Sequence, residues 1–315
     1  MSQRRAIILD CDPGQDDAVN LLLAFARRDV FDIVGITTVA GNVPLALTQK
    51  NARIITQLAG VSDVPVHAGC DRPLRRPPIT AHQVHGQTGI DGMALFEPSL
   101  PLASMHGVDF IIECLRQRPA GTVTLVPTGP LTNIAAAFNK APDIVARVAA
   151  IVLMGGAMRE AGNWTPSAEF NILVDPDAAD IVLQSGIDIT MIGLDATHQV
   201  LCTPERLAPI RKMGTAVGDA VYGMLNFFNR HDSAKYGSQG APLHDPCTIA
   251  WLLAPDLFEA KQCNISVETQ SALTLGHTAV DFWHVTGKPR NARWIYGVDA
   301  DGFFQLLSQS LANLG

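Results

Sequence analysis

The chain has 315 residues, 47% of them apolar, and a formal net charge of −7. That size can bury a substantial core, and an acidic balance with no Lys/Arg-rich block argues against nucleic-acid or anionic-membrane partners. The basic start MSQRR meets acids too soon for a signal peptide, no apolar stretch approaches membrane-spanning length, and the six scattered cysteines, without a CxxC pair, are expected as reduced thiols in a cytoplasmic protein.

Short apolar runs alternate with helix-patterned segments along the chain. The runs are AIILDCD (6–12), FDIVGITTVAG (31–41), VPVHAG (64–69), VTLVPTG (123–129), VAAIVLMGG (148–156) and DITMIGLDAT (188–197). They are continuous rather than alternating, as in strands buried on both faces. Between them lie helical patterns at 16–28, 46–60, 106–118, 130–142 and 175–186. The alternation predicts an α/β fold with an open, mainly parallel central sheet and helices on both faces. Three further helices are expected at 203–214, 216–231 and 245–255, then extra C-terminal strands between 261 and 299, and a closing helix at 302–314. No Pro/Ser/Gly-rich linker divides the chain, so residues 1–315 read as a single domain.

In open α/β sheets ligands bind beyond the carboxyl ends of the strands. Asp12, Asn42, Thr128, Met154, and the pair Asp195 and His198 all follow apolar runs, and His244–Asp245 opens a later helix. The first of these places is crowded with acids. Asp10, Asp12, Asp16 and Asp17 lie within eight positions. A helix dipole accounts for acids at 16 and 17 but not for Asp12 at the strand's mouth. A divalent cation does, and carboxylates without nearby Cys or His suit Ca²⁺ or Mg²⁺ rather than Zn²⁺. Asn163, Glu169 and Asn171 in GNWTPSAEFN either cap a loop or bind hydroxyls, and Asp245 is equally a plain N-cap.

Eight motifs occur in order between residues 10 and 246: DCDPGQDDA, AGN, HGQTGIDG, TGPLTN, LMGGA, GNWTPSAEFN, GLDATH and LHDP. Together they resemble the inosine-uridine preferring nucleoside hydrolase family, most closely its pyrimidine-preferring bacterial members. The resemblance implies a Rossmann-like nucleoside hydrolase fold and one Ca²⁺ per subunit, held by Asp12, Asp17, the Thr128 carbonyl and Asp245. It implies that Asp16, Asn42, Glu169 and Asn171 grip the ribose, helped by Asn163 and the main chain at Met154. Asp12 is the implied general base, and His244 the candidate acid for the leaving base. His85 is implied to line the base pocket, and Asp10 reads as an orienting neighbour of the metal site. Purine-tolerant members carry two tyrosines ahead of the His-Asp pair. The matching positions here are Phe228 and Asp232, with Tyr236 and Gln239 as further candidates for the base edge.

The implied activity is hydrolysis of the N-ribosidic bond of ribonucleosides, with uridine and cytidine preferred, for nucleoside salvage. A broad inosine/uridine specificity is the alternative. Two rivals stand further off. One is a haloacid dehalogenase-type phosphohydrolase, which also places DxD after a strand but then needs a Lys motif not found here. The other is a non-catalytic nucleoside-binding protein. The expected partner is a small nucleoside, and the resemblance suggests a homotetramer.

Overall fold

The structure is a computed structural model; it describes residues 4–236 and 240–314, with side chains described for 4–230 and 240–314. It opens with β1 (Arg5–Cys11), α1 (Gln15–Ala26), β2 (Phe31–Thr38), α2 (Leu45–Leu58), β3 (Val66–Ala68), α3 (His82–His85), β4 (Leu102–Ala103) and α4 (Gly107–Gln117). The middle contains β5 (Val123–Pro127), α5 (Thr132–Lys140), β6 (Val148–Met154), α6 (Phe170–Val174), α7 (Pro176–Leu183), β7 (Ile189–Ile192) and α8 (Leu194–Thr197). The chain continues through α9 (Pro204–Arg211), α10 (Ala216–Tyr236), α11 (Pro246–Leu253), β8 (Phe258–Cys263), β9 (Ile265–Val267), β10 (Thr278–Val280), β11 (Ala292–Val298) and α12 (Ala300–Leu311).

Nine strands form one sheet in the order β4-β3-β2-β1-β5-β6-β7-β11-β8. All pairings are parallel except β11 with β8 at the edge. This is the expected open, mainly parallel sheet. The C-terminal strands split: β11 joins the main sheet beside β7, while β9 and β10 pair as a separate antiparallel ribbon.

Successive strand residues feed opposite faces. Ile7 and Leu9 enter a core completed by α1, α2 and α9–α12, whereas Ala6 and Ile8 enter one completed by α4, α5 and α7. Each fully buried Ile or Leu side chain contributes about 1.5–3 kcal/mol by leaving water. Helix α1 is buried from Gln15 to Phe25, packed against α2, α10, α11 and α12, which explains its apolar run VNLLLAF. Its polar first turn is therefore also enclosed, and that places Asp16 and Asp17 under the site.

Candidate active site

Strand order reverses between β1 and β5, so their carboxyl ends flank the crevice where open α/β sheets take ligands. A cavity of about 360 Å³ lies there. Its walls bring together Asp16, Asn42, His85, Thr128, Met154 and Asn163, and also Glu169, Asn171, Phe228, His244 and Asp245. These residues come from loops and short helices far apart in the chain.

Asp12 and Asp17 do not line the cavity; they are fully buried close by. The Asn42 N–H donates to Asp12 Oδ2 at 2.7 Å. A Cβ on Gly41 would stand 2.1 Å from Asp12 Oδ2, and one on Gly129 2.5 Å from Oδ1, so both loops approach this carboxylate as closely as only glycine allows. Asp17 Oδ2 accepts from the Gly14 N–H at 3.0 Å and its Oδ1 from the Thr128 hydroxyl at 2.7 Å. Asp10 accepts from the Thr37 hydroxyl at 2.5 Å and the Asn133 amide at 2.7 Å.

Asp16, Asp17 and Asp245 each offer an oxygen within 4.8 Å of the others. Asp16, expected at the ribose, thus also belongs to the tightest acidic group. Asp12 Oδ1 and Asp16 Oδ1 are buried with no partner among the described residues. Burial, followed by the charge of Asp17, pushes Asp16 up to about 7 and holds Asp12 well above the usual carboxylate range. Asp245 is raised too, by burial and then by the charges of Asp16, Asp17 and Asp12. Such a cluster must take up either protons or a cation. Orphaned carboxylate oxygens without sulfur or imidazole donors form a hard-oxygen set that fits a divalent cation of the Ca²⁺ class.

The residues expected at the ribose are more engaged with the protein than their motif suggests. Glu169 caps α6: its Oε1 accepts from the Asn171 N–H at 2.9 Å, and its Oε2 from the Gly156 and Ile172 N–H groups at 3.0 and 3.2 Å. Asn171 Nδ2 donates to the Thr128 carbonyl at 2.7 Å and the Met154 carbonyl at 3.3 Å. Asn163 Oδ1 accepts from the Phe170 N–H at 2.9 Å. Asn42 Nδ2 donates to the Asp12 carbonyl at 3.2 Å and to Asp17 Oδ2 at 3.3 Å.

At the other end, the His85 ring lies along Phe228, with centroids 5.5 Å apart and planes at 26°. His244 Nδ1 lies 2.8 Å from the Thr197 hydroxyl. Burial, then the neighbouring His198 and His85, push His244 down to about 3. His198 also lines the cavity, with Nδ1 2.9 Å from Glu160 Oε2. Asp195 faces elsewhere and accepts from the Met158 and Arg159 N–H groups, each at 2.8 Å. Asp232 and Tyr236 fall on α10, but their side chains, like all of Gln239, lie outside the described residues.

Gln83, Trp164 and Phe170 line the cavity without having been singled out. Trp164 and Phe170 sit within the GNWTPSAEFN motif, where their aromatic character was the available signal.

The profile of the family described as inosine-uridine preferring nucleoside hydrolase matches residues 7–305. A Shewanella sp. protein named pyrimidine-specific ribonucleoside hydrolase RihA is 51% identical over 98% of this chain and 96% of its own. An uncharacterized protein of Schizosaccharomyces pombe is 48% identical over 98% and 99% of the two chains. Among solved structures, a purine-preferring ribonucleoside hydrolase from Gardnerella vaginalis superposes with a TM-score of 0.91 at 32% identity, covering 98% of this chain and 99% of that one. The phosphohydrolase reading of the paired acids is set aside by these matches. The chain belongs to the inosine-uridine preferring nucleoside hydrolase family and is a ribonucleoside hydrolase.

Proposed function

We propose that this hydrolase prefers pyrimidine ribonucleosides, cleaving uridine and cytidine to ribose and free base in a Ca²⁺-dependent reaction. The observation that carries the preference is the base end of the cavity. Phe228 packs on His85 at the place where the resemblance expects a tyrosine in purine-tolerant members. The name of the 51% identical Shewanella relative supports the same reading.

Asp12, Asp17, the Thr128 carbonyl and Asp245 would hold the cation, whose Lewis acidity orients a water and makes it more acidic. Asp12 acts as general base. Its Oδ2 is tied to the Asn42 N–H, which leaves Oδ1 for the proton. Cleavage builds oxocarbenium character on the sugar, and the carboxylates clustered at the site favour that charge. Asp16, Asn42, Glu169 and Asn171 surround the ribose and restrict its pose, with Asn163 bracing their loop. His244 faces the leaving base. Pushed down to about 3, its ring is neutral at pH 7 in the free enzyme, so it offers the departing base a hydrogen bond rather than a stored proton.

A cytoplasmic homotetramer serving nucleoside salvage fits this role. No helix among the described residues is long and apolar enough to cross a membrane, and no disulfide links the six cysteines.

The test is a panel of uridine, cytidine, inosine, adenosine and the deoxy forms, scored by release of the sugar. Uridine and cytidine should exceed inosine and adenosine in kcat/KM by at least about tenfold, or ~1.4 kcal/mol of transition-state discrimination. Equal turnover of inosine and uridine would favour the broad-specificity alternative, consistent with the purine preference named for the Gardnerella neighbour.

A further inference from the structure

Gly223 stands inside α10, although glycine is among the poorest helix formers. The loop facing it explains why. A Cβ at 223 would lie 2.2 Å from the Gly92 carbonyl oxygen, far inside contact distance. The contact is reciprocal. A Cβ at 92 would lie 2.5 Å from the Gly223 carbonyl oxygen and 2.8 Å from Cβ of Phe227, one turn further along the same face of the helix. Gly92 also sits at φ 109°, in the left-handed region that favours glycine. Helix and loop thus meet backbone to backbone.

Each side of this contact carries one wall of the cavity. The loop runs on from His85 at the end of α3 and is tied to the β1–α1 turn. Gln15 Nε2 donates to the carbonyls of His85 at 3.0 Å and Asp91 at 3.2 Å, and Asn51 Nδ2 to those of Pro13 at 3.0 Å and Thr88 at 2.7 Å. The Asp91 carboxylate closes the loop on itself by accepting from the Gln87 and Thr88 N–H groups at 3.1 and 3.2 Å. Phe228 rides on the helix, five residues or about 7.5 Å beyond Gly223, and its ring lies along His85. The loop is therefore a fixed stop for α10, anchored to the turn that leads into Asp16 and Asp17.

We propose that Gly92 and Gly223 are positioning residues whose backbone contact fixes how far Phe228 stands from His85, and so limits the size of base that the cavity admits. A methyl group at 223 forces the two backbones apart by roughly 1 Å to reach ordinary contact. Whichever side yields, the base end widens, which favours a bicyclic base over a monocyclic one. This selection rests on the pyrimidine preference above.

The test compares kcat/KM for uridine and inosine, with Ca²⁺ present, and pairs it with crystal structures of the wild type and Gly223→Ala. The uridine-to-inosine ratio should fall roughly tenfold in Gly223→Ala. The distance between the Phe228 and His85 ring centroids should grow beyond 5.5 Å. Gly218→Ala, on the same helix but facing Met213 and Ile210, disturbs α10 without touching the loop. Its ratio should stay at the wild-type value.

Equal losses on both substrates in Gly223→Ala mean a role in stability alone and overturn the proposal. So does an unchanged ring spacing, or a ratio that Gly218→Ala shifts as far. A wild-type crystal structure in which Gly92 and Gly223 do not touch overturns it whether or not either variant folds. A wild type that cleaves inosine as well as uridine overturns the pyrimidine reading and the selection with it, while the ring spacing in Gly223→Ala still decides whether the two glycines set the span of the pocket.

Discussion

Glu169 and His244 show how differently two cavity-lining side chains can be committed. The Glu169 carboxylate already accepts from three main-chain N–H groups, those of Asn171, Gly156 and Ile172. Glu169→Gln turns an NH₂ group against at least one of these donors. The expected loss is about 1–3 kcal/mol of folding stability, because a buried N–H is left unpaired. Urea unfolding of the variant checks this; an unchanged midpoint would mean that Glu169 serves only the sugar. His244 by contrast keeps one side-chain hydrogen bond among the described residues, with Thr197, and a tilted ring contact with His198. His244→Ala should cut turnover of uridine by roughly tenfold to a hundredfold, the scale of a lost hydrogen bond to the charge developing on the departing base. p-Nitrophenyl riboside, whose leaving group needs no such help, should be largely spared. Parallel losses on both substrates would assign His244 to positioning.

Short elements carry much of this site, and one of them sets a pH limit on the fold. Strand β3 places His67 at 5% exposure, stacked on Phe110 of α4 with centroids 4.0 Å apart. Its Nε2 has no partner among the described residues, and burial pushes the pKa down. The folded state therefore favours the neutral ring. As pH falls below about 6.5, the unfolded chain binds a proton that the folded one resists, and stability is lost. His67→Phe keeps the stack and removes the titration. Its urea midpoint should drop less than that of the wild type between pH 7.5 and 5.5, and equal drops would clear His67 of the effect. The long elements were legible from periodicity, since strands buried on both faces leave continuous apolar runs. Helices α3, α6 and α8, at four or five residues, are too short to carry a period, yet they hold His85, Asn171 and Thr197. The order-preserving motifs marked residues that the fold gathers at one cavity, where periodicity could not. Hidden from both was the prior engagement of Glu169 and Asn171 by main-chain groups, because a motif shows which side chains gather and not which are already satisfied. The pairing of β11 with β7 was equally unreadable, being set by packing across the whole sheet.

At the scale of the whole molecule, the acidic cluster ties the amino-terminal β1–α1 turn to Thr128 after β5 and to Asp245 at the start of α11, and its charge makes the fold depend on what neutralises it. Without a cation, the neutralisers are protons. Asp10 and Asp16 are pushed from the usual 3.8 up to about 7, in each case first by burial and then, among the charges, by Asp17. An acid whose pKa is raised by folding holds its proton in the native state after the unfolded chain has released it. Its contribution is fully present below about 3.8 and is lost as pH rises through about 7. The metal-free protein should therefore weaken between pH 5 and pH 8. The proposed Ca²⁺ would work in the opposite sense, because it would bind the ionised carboxylates and compete with those protons. Bound only by the folded state, it adds about 2.7 kcal/mol at a free concentration one hundred times its Kd. The gap in melting temperature between Ca²⁺-loaded and exhaustively chelated protein should accordingly be small at pH 5 and widen toward pH 8. Activity should vanish on chelation and return with Ca²⁺. Differential scanning fluorimetry across that range, with metal content verified by elemental analysis, makes the comparison. A gap independent of pH would show that the cluster is not what the cation neutralises, and a metal-free enzyme with full turnover would remove the cation from the reaction altogether.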